Sequence, residues 1–199
     1  MNFDQITKVV INLPHRTDRR EQFISEMLSI KPGKTAVVFQ DGIIDDKPYV
    51  GIAKAHIQAI DFVLNKMGKY CAMVMEDDVH FPGRERTIQH INECLKHIPG
   101  TWDILLGGVY TGDLFKYNDY WNHIEKFSGL HFYIVNRAGF AKLKKYDFST
   151  HLDRWISGQN LNLFVMDTFC AIQQDGFSDN VGHQTAYNAH LEAKYKILK

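Results

Sequence analysis

Residues Tyr70–Phe81 read Y-C-A-M-V-M-E-D-D-V-H-F. Cys71 to Met75 are apolar, and Glu76, Asp77 and Asp78 follow without a break. A short apolar run closed by acids predicts a buried strand that delivers carboxylates to its C-terminal edge. Open α/β sheets bind ligands at that edge. Three adjacent carboxylates repel one another, and burying them without a counter-charge is costly. A divalent cation is the natural partner, and hard oxygen donors suit Mg²⁺ or Mn²⁺. For an isolated E-D-D, a solvated acidic turn is the plainer alternative.

Upstream, Lys8–Leu13 (K-V-V-I-N-L) predicts a buried strand stopped by Pro14. Asp18 is placed to N-cap a helix from about Arg19 to Ile30, with Phe23, Ile24, Met27 and Leu28 on one face. Between them, His15, Arg16, Asp18, Arg19 and Arg20 form either an anion site at the helix N-terminus or a solvated loop of local ion pairs. Lys31-Pro32-Gly33 breaks the helix, and Ala36–Phe39 reads as a second strand. Asp41 follows it, either accepting from a ribose or base or making a plain turn. Gly51–Met67 has apolar positions near the 3.6-residue period, with Lys54 and His56 in its first turns. Both are placed to face a phosphate; a core role for His56 is the alternative.

Downstream, Arg84–Ile98 predicts an amphipathic helix and Trp102–Leu106 a strand closed by Gly107-Gly108. The alternation β-α-β-α-β-α-β predicts an α/β fold with a mainly parallel sheet and helices on both faces. Val109–Asn122, rich in Tyr, Asp and Asn, reads as a long loop. It is either an acceptor loop whose rings pack on sugar faces or a surface flap. Leu130–Val135 predicts a strand, Asn136–Tyr146 a helix, and Leu161–Gln174 a strand pair or a strand and turn around Asp167. Gln173–His183 is dense in polar groups, and Ala186–Lys199 is a basic tail, a last helix or a frayed end.

With 199 residues, 45% hydrophobic and 23% charged, the chain suits one globular domain. A formal net charge of zero gives no electrostatic case for nucleic acid or an anionic membrane. Cys71, Cys94 and Cys170 form no C-x-x-C pair, so reduced thiols and a cytoplasmic location are expected. No apolar run approaches membrane-spanning length, and M-N-F-D-Q does not read as a signal peptide.

These motifs, in this order, resemble glycosyltransferase family 25, which includes lipooligosaccharide and collagen galactosyltransferases. Val10–Arg20 (V-I-N-L-P-H-R-T-D-R-R) resembles its N-terminal signature, an asparagine–leucine pair followed by Arg and Asp-Arg. Phe39–Gly42, Gly51–His56, Met75–Asp78, Trp102–Gly107, His131–Gly139, Asp153–Trp155 and Gln173–Asp179 resemble its later landmarks. The likeness spans about residues 8 to 182.

The resemblance implies a single GT-A-type domain over residues 1–199, with a nucleotide-sugar half over about 1–108 and an acceptor and catalytic half over about 109–199. It implies a UDP-sugar donor, inversion at the anomeric carbon, and Mn²⁺ or Mg²⁺ as cofactor. It implies Asp78 as the main metal ligand and Glu76 beside the ribose or behind the metal. Asp179 or His183 would add a metal or diphosphate contact. Arg16, Arg19 and Lys54 would meet the diphosphate, with Asn12, Leu13, Asp41, His56, Asp77, Gln173 and Ser178 around the donor. Asp153 matches the acid expected to act as general base, and Asp167 is second. Thr168 stands where the family has a proline. The chain is near the minimum size for this fold, so acceptor recognition is expected from Val109–Asn122, the C-terminal third or a partner. By resemblance the acceptor is a glycan hydroxyl, as in lipopolysaccharide biosynthesis; a hydroxylated protein side chain or a modified DNA base are further candidates. A nucleotidyltransferase on a similar sheet and a non-catalytic nucleotide- or sugar-binding module are the competing readings. No glycine-rich phosphate loop supports the first of these.

Overall fold

The computed structural model describes residues 1–33, 36–179, 182–186, 188 and 191–199. Asn180 and Val181 of the polar segment, and Tyr187, Ala189 and His190 of the tail, lie outside the described residues. The strands are β1 (Thr7–Asn12), β2 (Val37–Asp41), β3 (Cys71–Glu76), β4 (Val79–His80), β5 (Ile104–Leu106), β6 (Thr111–Lys116), β7 (Trp121–Ser128), β8 (Phe132–Asn136), β9 (Leu163–Met166), β10 (Thr168–Phe169), β11 (Ile172–Gln173), β12 (Gly176–Ser178), β13 (His183–Thr185) and β14 (Lys196–Ile197). The helices are α1 (Thr17–Ser29), α2 (Pro48–Asp61), α3 (Thr87–Lys96), α4 (Arg137–Leu143), α5 (Leu152–Ser157) and α6 (Leu191–Lys194).

Eight strands form one α/β sheet in the order β2-β1-β3-β8-β5-β9-β7-β6. The pairs β1/β2, β1/β3 and β5/β9 are parallel. The pairs β3/β8, β5/β8, β7/β9 and β6/β7 are antiparallel, so the sheet is mixed rather than mainly parallel. The difference arises at β8, which enters antiparallel between β3 and β5, and at the β6/β7 hairpin, whose β7 runs antiparallel to β9. All five of its residues, F-Y-I-V-N, are buried, as a central strand covered on both faces requires. Strands from both halves of the chain therefore interleave in one sheet.

Alternate residues feed two cores, following the two-residue period of a strand. Val9, Val74, Tyr133 and Val135 pack with Ala59 and Ile60 of α2, Phe140 of α4 and Ile156 of α5. Val10, Met73, Phe132 and Ile134 pack with Phe23 and Met27 of α1 and Ile91 and Leu95 of α3.

Three local expectations are corrected. Asp18 does not cap α1: the cap position is Arg16, without a side-chain cap, and Asp18 sits in the first turn. There Arg16 Nε and Nη2 donate to it at 2.9 and 2.8 Å. Val109–Asn122 is not a long loop but contains β6, a tight turn and the start of β7. Asn118 Oδ1 builds that turn by accepting from the N–H groups of Tyr120 and Trp121, both at 2.8 Å. Finally, α2 starts at Pro48, three positions before Gly51, because proline's fixed φ and missing N–H suit the first helical position.

The three cysteines are free and buried. Among the described residues, no helix is long and apolar enough to cross a membrane.

Gly51 fixes α2 against the Ile43–Asp45 segment, since a Cβ there would overlap Ile43 O and crowd Asp45 Cβ. Gly51→Ala should therefore destabilise the fold by about 1–3 kcal/mol, the usual cost of overpacking. Urea denaturation reads this as a lower midpoint at unchanged slope; an unchanged midpoint would mean this contact is not held closely.

Candidate functional site

Register sets the site. Ile11 pairs with Gln40 on one side and Glu76 on the other, so β1, β2 and β3 end at one edge. Asn12, Asp41 and Glu76 mark that edge. Glu76 is half-buried, while Asp77 and Asp78 are each only 6% exposed. The acids are thus not a solvated turn, and each is held by different partners.

Glu76 Oε1 lies 3.2 Å from His56 Nε2, and His56 Nδ1 lies 2.9 Å from the Tyr133 hydroxyl. His56 is buried in this chain of contacts. Asp77 Oδ2 accepts from Asn12 Nδ2 at 2.7 Å, and its Oδ1 from Arg19 Nη1 at 3.1 Å. The same Arg19 nitrogen reaches Asp78 Oδ2 at 3.1 Å. Gln173 Nε2 also donates to Asp78 Oδ2, at 2.7 Å, and Gln174 N–H to the Asp78 carbonyl at 2.8 Å. The pairing of β11 with β4 brings these glutamines to the acids, because Gln173 faces Val79 in register. Asp78 Oδ1 and Gln173 Oε1 are buried without a hydrogen-bond partner among the described residues.

The electrostatics follow this geometry. Burial, then the Glu76 charge, pushes the Asp78 carboxyl up to about 8. Burial also raises Asp77, although Asn12 and Arg19 pull it down. Burial opposes the charge of Glu76 too, yet its hydrogen bond and attraction to His56 hold it below the usual range. One environment therefore separates neighbouring carboxylates, an arrangement common at functional sites.

The acids floor a cleft of about 400 Å³. Leu13, Arg19, His56, Glu76, Asp77, Asp78, Asp153, Gln173, Ser178 and Asp179, all singled out from sequence, line it. Asp153, in the first turn of α5, accepts from Gly129 N–H through Oδ2 at 2.9 Å and from Arg154 N–H through Oδ1 at 2.8 Å. Ile43, Ile44, Asp45, Pro48, Tyr49, Tyr110, Leu130 and His151 complete much of the wall. Of the expected acceptor loop, Tyr110 alone is among the lining residues. Tyr49 and His151, whose rings lie 5.2 Å apart, had no assigned role in the sequence. Pro48 as a helix start was the signal that could have drawn attention to Tyr49.

Other expected residues stand behind or outside the cleft. Asn12 is buried behind it, on Asp77. Arg16 pairs with Asp18 and Asp179, and Lys54 Nζ with Asp45 Oδ2 at 2.7 Å, so these two expected phosphate cations, like Arg19, contact carboxylates. Asp41 is exposed beside Gly42, which does line the cleft. His183 is exposed on β13, with Nδ1 2.8 Å from Gln184 O, and is not a lining residue. Asp167 is not brought to the cleft either. Lys116 and Lys196 hold its two oxygens at 3.2 and 2.8 Å, and Asn122 adds a donor at 3.3 Å. Burial opposes its charge, but these partners more than offset that and keep it below the usual range.

The described residues contain no cluster of three or more His, Cys, Asp or Glu side chains arranged around a metal position. The donor chemistry nevertheless fits a hard cation. Mg²⁺ is commonly held by one or two carboxylates together with water and substrate phosphates. The unpartnered Asp78 Oδ1, with Glu76 in the same cleft, supplies that minimum.

No protein-family model matches the chain, and no curated protein matches it. Among solved structures, the fold is similar to A197 from STIV, at 13% identity over 94% of this chain and 96% of that one, with a TM-score of 0.50. A second similar structure is a Drosophila β-1,4-galactosyltransferase 7 variant in complex with manganese, UDP-Gal and xylobiose. It is 9% identical over 96% of this chain and 74% of that one, with a TM-score of 0.41.

The raised Asp78 carboxyl fixes the sign of a pH effect. An unfolded aspartate titrates near about 3.9, so the folded chain holds an extra proton from there to about 8. Stability from this group is full below the unfolded value and is lost as pH rises through the folded one. In chelator, melting of the wild-type chain should fall by several degrees between about pH 5 and pH 9, and Asp78→Asn should flatten that slope. Parallel pH profiles for the two proteins would refute the assignment.

Proposed function

We propose that this chain is a metal-dependent, inverting glycosyltransferase that moves a hexose from a UDP-sugar to a hydroxyl acceptor, in the manner of glycosyltransferase family 25. The observation that carries the reading is the unpartnered Asp78 Oδ1 beneath the cleft at the C-terminal sheet edge, with Glu76 and Asp153 lining the same cleft. The helix-flanked sheet suits a GT-A-type fold, and about 400 Å³ lies within the range of small-molecule sites.

Asp78 and Glu76 would hold the cation. When bound, Mn²⁺ or Mg²⁺ supplies Lewis-acid stabilisation of the negative charge on the departing nucleoside diphosphate. His56 and Tyr133 orient Glu76. Asp153 is the general base. The N–H groups of Gly129 and Arg154 fix its carboxylate, and each oxygen keeps a lone pair for the proton of the acceptor hydroxyl. Tyr49, Tyr110 and His151 line the same cleft as Asp153, and aromatic rings suit the apolar faces of sugars, which favours a glycan over a protein side chain or a modified DNA base. Asp167, salt-bridged outside the cleft, is not assigned the base.

One observation favours a second reading. Arg19 already bridges Asp77 and Asp78, so a counter-cation is present without a metal, as a metal-independent nucleotide- or sugar-binding module would require.

Both readings are separated by a panel of UDP-, GDP-, CMP- and TDP-sugars assayed for binding and for hydrolysis or transfer, with and without Mn²⁺. The transferase reading expects a metal-dependent response to a UDP-sugar. Asp153→Asn should lower turnover about 10²–10⁴-fold with donor affinity unchanged. Tight binding that ignores Mn²⁺ and gives no turnover would establish the module instead.

A further inference from the structure

We propose that Arg19 is an exchangeable counter-cation: a divalent ion takes its place on Asp78, and the released guanidinium turns to the diphosphate of the donor. The inference rests on the metal-dependent reading above and assigns Arg19 as a positioning residue that couples metal and nucleotide binding.

Arg19 lies in the first turn of α1, and its side chain is 15% exposed. It does not clasp one carboxylate with a parallel fork, the strong geometry for arginine. Instead a single nitrogen, Nη1, is divided between Asp77 Oδ1 and Asp78 Oδ2 at 3.1 Å each, while Nη2 donates to the Phe177 carbonyl. One guanidinium nitrogen is thus shared between two carboxylates. Beside them, two buried oxygens, Asp78 Oδ1 and Gln173 Oε1, have no hydrogen-bond partner among the described residues. Both residues are over nine-tenths buried and both line the cleft. Gln173 Nε2 ties the two side chains together at 2.7 Å. Unsatisfied buried oxygens of this kind call for a cation or a donor.

A divalent ion on Asp78 and a guanidinium on the same carboxylate repel each other, so they compete. Once displaced from Asp78, Arg19 keeps only Asp77 of its two carboxylates, and a second anion would replace the one it lost. The nearby carboxylate Asp179 already has Arg16, and Asp45 has Lys54. A diphosphate entering the cleft supplies that anion, and arginine suits phosphate oxygens. Metal alone must therefore evict Arg19 without a replacement partner, and nucleotide alone meets an Arg19 still engaged. Together each removes the other's cost, and linkage makes the coupling reciprocal.

The test is calorimetric titration of the full chain with Mn²⁺, with and without saturating UDP. Wild-type protein should bind Mn²⁺ weakly alone and about tenfold or more tightly with UDP, within the usual range of coupling. Arg19→Met should bind Mn²⁺ alone about tenfold more tightly than wild type and lose most of the coupling to UDP. Arg19→Lys, which keeps the charge, should restore weak Mn²⁺ binding. Unchanged or weaker Mn²⁺ binding by Arg19→Met would overturn the exchange while leaving the metal-dependent reading intact. Absence of Mn²⁺ binding to wild type, with UDP present or not, would overturn both. If Arg19→Met does not fold, the Arg19 Nε–H resonance of the wild-type chain decides. It should shift on adding Mg²⁺ with UDP, and an unmoved resonance would overturn the proposal.

Discussion

Three consecutive carboxylates at the end of a buried strand are the constraint on which the rest of this molecule turns. Isolated buried charges cost too much to persist, so each acid must be paired, protonated or coordinated. The chain deals with each one separately. Glu76 is kept charged by His56, Asp77 is shared by Asn12 and Arg19, and Asp78 receives Gln173 and a share of Arg19. These partners come from β1, α1, α2 and β11. The sheet order, the start of α2 and the β4/β11 pairing therefore converge on one requirement, the neutralisation of the floor of the cleft.

The uneven result has chemical meaning. Full neutralisation would make the floor a structural ion-pair network, as at Asp167, where two lysines and an asparagine leave the carboxylate satisfied. The two clusters lie at the same sheet edge and differ in this respect. Around Asp78 an oxygen is left over, and its carboxyl is held towards the neutral form. A site that binds and releases a cation during turnover gains from such incomplete pairing, since a fully satisfied one would have to be dismantled first.

Much of this was legible in the sequence because it depended on local pattern. The apolar run ending in Glu76-Asp77-Asp78 gave β3 and its edge, and the β-α alternation gave the helices on both faces. What escaped was decided by long-range pairing. Nothing local in F-Y-I-V-N says that β8 enters between β3 and β5, and that insertion, with the antiparallel β6/β7 hairpin beside β9, makes the sheet mixed. Val109–Asn122 read as a loop because its tyrosines, aspartates and asparagines mask a hairpin turn built by Asn118. The cations Arg16, Arg19 and Lys54 were legible as a group near the edge, and so was a local pair such as Arg16 with Asp18, but their distant carboxylate partners were not. Two of those pairings, Arg16 with Asp179 and Arg19 with Asp77 and Asp78, span distant parts of the chain.

The unpartnered oxygen of Asp78 is the proposed cation site, used together with a nucleotide. The most direct measurement is a crystal structure of the chain grown with Mn²⁺ and UDP, with manganese located by its anomalous signal. One strong peak within bonding distance of Asp78 and the diphosphate is expected, with Arg19 moved off Asp78. UDP seated in the cleft without manganese at Asp78, and Arg19 still bridging Asp77 and Asp78, would contradict it.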